Sequence, residues 1–404
     1  MKIIRKDIIP YSPLRKALGA FVILLLSALL LFLYKMPDLL FDRARADYYC
    51  KNLFGYVSFF GNMVSNMLLF SITENIVIVG GLTLIVLFFI LLYMTIKRLV
   101  SGGTGKTGRN IFKLSVVILL ILNILMADYQ LMHGINYRRT PIAHELGIDT
   151  GSQRSYEEYC EALKWAYAGM IEARSQLGED YNGVAHMKTN FGGAVYDANI
   201  VMDQVSDRYG LGLSRNYINA KPVSLSRYWS YTGITGFYDM LIGEANVNTD
   251  YLDITGIPLT ICHEISHAKG YARESDATVC AILTCIHSSR PDFRYAGFLR
   301  IFLELYSITT EYAQFSGQEL PTYINQDLIL AIDRDMQAAR EYEAGLADNF
   351  YTRMIERFSN KANDAFLKAN GQKDGVRSYE IRSSIFIEFY FDYVKESSDD
   401  QGRP

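Results

Sequence analysis

His263-Glu264-Ile265-Ser266-His267 reads H-E-x-x-H, the part of this chain best suited to chemistry. Positions four apart share one face of a helix, so His263 and His267 can aim two imidazoles at one metal ion. Glu264 lies about 100° round the same helix and can polarise a water beside that metal. Two histidine ligands and a carboxylate base within one turn suit Zn2+ and hydrolysis. The plain alternative is a surface helix whose two histidines simply bond their neighbours.

A helix must hold this motif, and its punctuation is present. Pro258 suits a first turn, where its missing N–H costs nothing. Gly270 suits the left-handed position that ends a helix. The expected helix runs from Pro258 to Lys269. A catalytic zinc takes three protein ligands and leaves one position open. In metzincins the third ligand lies three residues past the glycine; here that residue is Arg273, which cannot ligate. Glu274 follows and opens a second expected helix, Glu274 to Ser288, with Ala277, Val279, Ala281, Ile282 and Ile286 for its buried side. Glu274 is the favoured third ligand. Asp276 is its competitor, or a residue that orients a ligand histidine through a hydrogen bond. Both acids also fit ordinary negative charge at a helix N-terminus.

Before the motif, Ser230–Tyr238 is rich in glycine and β-formers, and Gly243–Asn248 alternates apolar with polar. A small sheet is expected. An edge strand beside a cleft pairs with a substrate backbone by strand addition, and Asn246 and Asn248 are candidates to hydrogen-bond a peptide. An ordinary half-exposed strand fits the alternation equally well. Oxyanion stabilisation needs a donor near the metal; Tyr295, Arg294 and Tyr238 are candidates, each with a structural reading beside it. His287 reads as a helix-end residue. Further helices are expected at 155–177, 194–209, 295–315, 326–351 and 379–396. The last residues, 397–404, read as a disordered tail.

The chain has 404 residues, half of them hydrophobic, and a net charge of −3. That length allows two or three domains. No basic, aromatic-interleaved stripe suggests nucleic acid. Cys50, Cys160, Cys262, Cys280 and Cys285 form no C-x-x-C pair, which argues against a zinc ribbon or disulfide framework. The last three read as small core residues. Gly102–Thr107 resembles a phosphate loop, but the glycine that such a loop needs is replaced by Val100, so no nucleotide is expected. Apolar stretches at about 17–34, 76–96 and 111–128 are each near the length that crosses a hydrocarbon core. Lys2, Arg5, Lys6, Arg15 and Lys16, and then Lys97, Arg98, Lys106 and Arg109, mark cytoplasmic segments. Three spans then put everything after about Asp128 on the extracytoplasmic side.

With these residues in hand, the chain resembles a family of bacterial multi-span membrane proteins catalogued only as a domain of unknown function. The matching stretches are GINYRRTP (134–141), GITGFY (233–238), GEANVN (243–248), CHEISHAKGYARESDA (262–277), FRYAGFL (293–299) and NDAFLKANGQKDGVRSY (363–379). The resemblance implies a zinc peptidase of the gluzincin type, with His263, His267 and Glu274 as ligands and Glu264 as base. Better-known gluzincins often carry an aspartate four residues past the glutamate ligand; here that position is Thr278.

The expected fold is mainly α. A membrane anchor (1–133) with three transmembrane helices precedes a zincin-like α+β, mostly helical domain with a small sheet (134–396). The expected function is that of an integral-membrane zinc metallopeptidase acting on an extracytoplasmic peptide or protein. The bilayer and that substrate are its partners. The second reading is a membrane receptor or scaffold whose zinc site is structural or decayed.

Overall fold

The computed structural model describes residues 13–100, 105–152, 154–187, 190–213, 215–319, 321, 326–346, 350–373 and 384–395. The 397–404 tail, the basic residues Lys2, Arg5 and Lys6, and residues 102–104 of the glycine-rich loop lie outside them. The chain divides into two compact units, residues 1–42 with 76–131, and residues 43–75 with 132–404. The segment 43–75 thus belongs with the second unit, although an anchor running through residue 133 is the simpler expectation.

The first unit is built from α1 (Pro13–Leu40), α4 (Ile72–Val100) and α5 (Gly105–Met132), whose ends at Ile72–Asn75 and Met132 run into the second unit. Each contains a stretch long and apolar enough to cross a membrane, namely Ala17–Leu40, Ile72–Lys97 and Arg109–Met132. These are longer than the apolar runs because helix continues through polar flanks once its hydrogen-bond ladder is started. Inside this unit the Asn123 side-chain amide donates to Leu26 O at 3.1 Å. Gln130 donates to Tyr34 O at 3.4 Å. Polar side chains of α5 thus find partners on α1, as apolar surroundings require.

The second unit contains α2 (Arg43–Tyr48), α3 (Phe54–Met67), α6 (Ile142–Glu145), α7 (Tyr156–Arg174), α8 (Phe191–Tyr209) and α9 (Ser226–Ser230). The two site helices α10 (Ile257–Ala268) and α11 (Glu274–His287) follow, then α12 (Pro291–Ser316), α13 (Gln326–Leu346), α14 (Phe350–Ala369) and α15 (Ser384–Phe389). Of the expected run 326–351, residues 326–346 lie in α13 and 350–351 in α14, while 347–349 lie outside the described residues. A three-stranded sheet has the order β1 (Lys221–Pro222), β3 (Glu244–Val247), β2 (Gly236–Asp239). β1 is parallel to β3 and β2 antiparallel to it. The architecture is mainly helical with a small sheet.

α7 starts at a capping box, in which Ser155 and Glu158 each bond the other's backbone N–H. α10 begins with Pro258 in its first turn and stops at Gly270, whose φ of +96° is costly for any residue with a Cβ. Gly270 N–H donates to His267 O at 2.9 Å and Tyr271 N–H to Ser266 O at 3.1 Å, closing the helix end. Ile261, Cys262 and Ile265 of α10 pack into one core with Val279, Cys280, Ile282 and Cys285 of α11. Cys262, Cys280 and Cys285 are therefore the small core residues their setting suggests.

Candidate metal centre

α10 supplies His263 and His267, and the short turn through Gly270 returns the chain so that α11 begins with Glu274. His263 Nε2 and His267 Nε2 lie 3.0 Å apart. Glu274 Oε2 lies 3.0 Å from the first and 3.2 Å from the second. These are the atoms a metal would contact, and the three residues form the one such His/Cys/Asp/Glu group among the described residues.

The far side of each ring fixes which nitrogen carries the proton. His267 Nδ1 is 2.7 Å from Tyr271 O, which can only accept, so Nδ1 is the protonated nitrogen. Thr278 donates its hydroxyl to Glu274 O at 2.8 Å, which leaves Oγ1 to accept from His263 Nδ1 at 3.2 Å. Both Nε2 atoms then present lone pairs to each other and to a carboxylate oxygen. Three acceptors at 3 Å repel unless a positive charge lies among them. In the metal-free site a proton on His267 supplies one, because against the effect of burial the Glu274 carboxylate raises its pKa to about 9. The donor set fits a zinc ion in that proton's place. Thr278 thus fills the place where an aspartate was lacking. It is one helical turn from Glu274, and that spacing was its sequence signal.

Glu264 is buried on the wall of the same cavity, of about 730 Å3, which is lined also by His133, Gly236, Tyr238, His263, His267 and Glu274. Its Oε2 has no hydrogen-bond partner among the described residues. Burial pushes its pKa up to about 8. Gly236 on β2 touches it so closely that a Cβ there would collide with Glu264 Oε1 and Thr260. Tyr238, two residues on, stacks its ring on His267 with centroids 6.0 Å apart.

His133, just past the end of α5, also enters the site. Its ring lies 5.4 Å from that of Tyr238 and 6.1 Å from that of His267. Burial pushes its pKa down to about 3, so it is a neutral imidazole. No local motif announces it. Arg139 braces the turn between the two site helices, donating to Gly270 O at 3.1 Å with its guanidinium 3.7 Å from the Tyr271 ring centre. Glu145 neutralises it at 2.9 Å.

Several sequence candidates lie elsewhere. Asp276 lies outside the cluster of His263, His267 and Glu274 and bonds other groups. It accepts from Arg273 Nε at 2.8 Å and from Ile142 N–H at 3.3 Å, while Arg273 Nη1 donates to Tyr137 O and Arg139 O. Tyr295 is wholly buried and donates to Asp335 at 2.8 Å, beside Arg174, so it belongs to the core. Arg294 pairs with Glu172. Asn246 lies on the central strand, fully buried, and its amide donates to Thr73 Oγ1 and Glu244 O. Asn248 donates to Ser230 Oγ and Ile234 O. Asn246 does not line the site cavity, whereas Asn248 lines an adjoining cavity together with Thr235 and Thr260. His287 ends α11, as expected, and bonds Tyr209.

α14 lines the cavity with Ser359, Asn360, Asn363 and Phe366, and α12 contributes Arg300. A mainly helical domain with two facing histidines and a glutamate on consecutive helices is the class that fold and site define. Residues 49–384 match the model of the family described as protein of unknown function DUF3810, and the chain belongs to that family. Comparison with curated proteins and with solved structures found no match.

Proposed function

We propose that this chain is an integral-membrane zinc metallopeptidase with a zincin-like domain. The observation that carries the reading is the convergence of His263 Nε2, His267 Nε2 and Glu274 Oε2 at 3.0–3.2 Å on a cavity wall that also holds Glu264. His263, His267 and Glu274 would hold the ion. Zinc, when bound, supplies Lewis acidity towards a carbonyl and an acidified water. Glu264 takes a proton from the attacking water and passes it to the leaving amine as the C–N bond breaks. A cation in the ligand cluster also favours the ionised form of Glu264, which burial alone opposes. Tyr238 and neutral His133 are the groups near His267 that can donate to the developing oxyanion.

The strand beside the cleft supports a peptide as the substrate class. Asn248 N–H donates to Thr235 O, so 237 and 246 form the next hydrogen-bonded pair. Gly236 therefore directs its N–H and C=O away from β3, at the sheet edge, and 233–238 line the cavity. An extended peptide can add to this edge. Asp276 is committed to Arg273, and no fourth protein ligand closes the cluster among the described residues, as a structural zinc site would require. The basic residues flanking the spans support an extracytoplasmic placement of the domain.

The test is hydrolysis of a peptide library by the detergent-purified full chain beside Glu264→Gln. The reading expects cleavage by the first, and a variant that keeps zinc but loses turnover. Equal cleavage by both would refute the mechanism.

A further inference from the structure

Between Lys51 and Glu74 the chain carries no charged residue. This stretch contains α3, whose polarity is the reverse of a helix on a water-facing surface. Tyr56, Phe59, Phe60, Met63, Val64 and Met67 recur at helical spacing along one face. All six are exposed, Tyr56 at 83%, Phe60 at 70% and Met67 at 76%. The buried side holds Phe54 at the start of the helix and then Ser58, Asn62 and Ser65. Ser65 Oγ donates to Glu244 on β3 at 2.9 Å. Asn66 donates to Tyr217 O, and Asn216 donates to Gly55 O at 3.0 Å. Beyond Phe54, α3 therefore docks its polar side on the domain and turns its apolar side outward.

An amphipathic helix of a water-soluble domain does the opposite, and a contiguous exposed apolar face marks an interaction surface. Chain connectivity and chemistry together select the occupant. α3 is joined through residues 41–53, which include α2, to α1, and through residues 68–71 to α4, which starts at Ile72; α1 and α4 are both long enough and apolar enough to cross a membrane. Its 14 residues make a helix about 21 Å long, too short to cross a hydrocarbon core of about 30 Å but long enough to lie along its boundary. A protein partner would call for about one hydrogen bond per 100–200 Å2 of interface, and this face offers a single polar group, the Tyr56 hydroxyl. Arg43 and Lys51, both exposed, precede it and suit lipid phosphates. We infer that the outer face of α3 lies in the acyl-chain boundary of a lipid bilayer, so that the domain holding the histidine cluster is seated on the membrane through α3. The same face is where the chain would contact lipid whether or not the cleft hydrolyses peptides.

Spin-label accessibility in the full-length protein reconstituted in phospholipid vesicles tests this. Phe60→Cys and Met67→Cys, each in a Cys160→Ser background, carry the label; Tyr181→Cys, at a position 97% exposed on a loop, is the aqueous control. The inference expects both α3 labels to relax more with oxygen than with a water-soluble nickel chelate, and the control to do the reverse. Greater nickel accessibility at 60 and 67 would overturn it. Low accessibility to both reagents would also overturn it, because a protein partner or second copy would then cover the face. Unchanged gel-filtration elution of each variant establishes that it is folded, and two positions a helical turn and more apart guard against a local defect.

Discussion

Gly236 lies against the Glu264 carboxylate with no room for a methyl group between them. The sheet edge and the motif helix meet at this contact, so a side chain at 236 must move the base or the strand. Gly236→Ala is expected to lower turnover on the order of a hundredfold, since small displacements of a reacting group cost about that much. Zinc content should stay at the wild-type level, because the ligands sit on α10 and α11 beyond the contact. Wild-type turnover in the folded variant would remove Glu264 from the role of base.

Thr278 connects the two ligand helices by accepting from His263 and donating to Glu274 O. Removing the hydroxyl frees the His263 ring to rotate and to change tautomer. Thr278→Ala should weaken zinc binding about 10–100-fold, the usual cost of losing a partner behind a metal ligand. Thr278→Ser should restore most of it. Competition with a chelator of known affinity measures both, and equal affinity in all three proteins would contradict the assigned hydrogen bond.

Asp276 is 3% exposed and pairs with Arg273 at 2.6 Å. Asp276→Ala leaves that guanidinium without its anion and should lower stability by about 3 kcal/mol. Asp276→Asn, which keeps the acceptor, should lower it less. Both variants should retain zinc in the folded fraction. Thermal unfolding beside metal analysis separates the outcomes: zinc lost with an unchanged melting point would make Asp276 a ligand after all.

The parts legible in the sequence were those carried by local spacing. Pro258 and Gly270 bound α10 to within a residue, and Glu274 falls where a helix following so short a turn must begin. The apolar spans were legible because length and hydropathy suffice. Asn246 misled because alternation says that a strand has two faces, not which strand is central; β1 and β2 enclose β3, and Thr73 takes the amide. Tyr295 misled because nearness in sequence to α11 says nothing of the Arg174–Asp335 pair that holds it. His133 and Arg139 were not legible, because more than 120 residues separate them from the motif they support and only the folded chain closes that distance. The stripe 56, 59, 60, 63, 64, 67 is visible as a period, but the period alone does not say which face of α3 packs on the domain.

The central claim is that His263, His267 and Glu274 hold one zinc ion, and elemental analysis of the detergent-purified protein tests it most directly. The account predicts about one zinc per chain, in keeping with a three-ligand site. It predicts loss of that zinc in His263→Ala/His267→Ala and in Glu274→Ala, with elution unchanged. A wild-type chain that takes up no zinc after reconstitution, or a double variant that keeps it, would contradict the account.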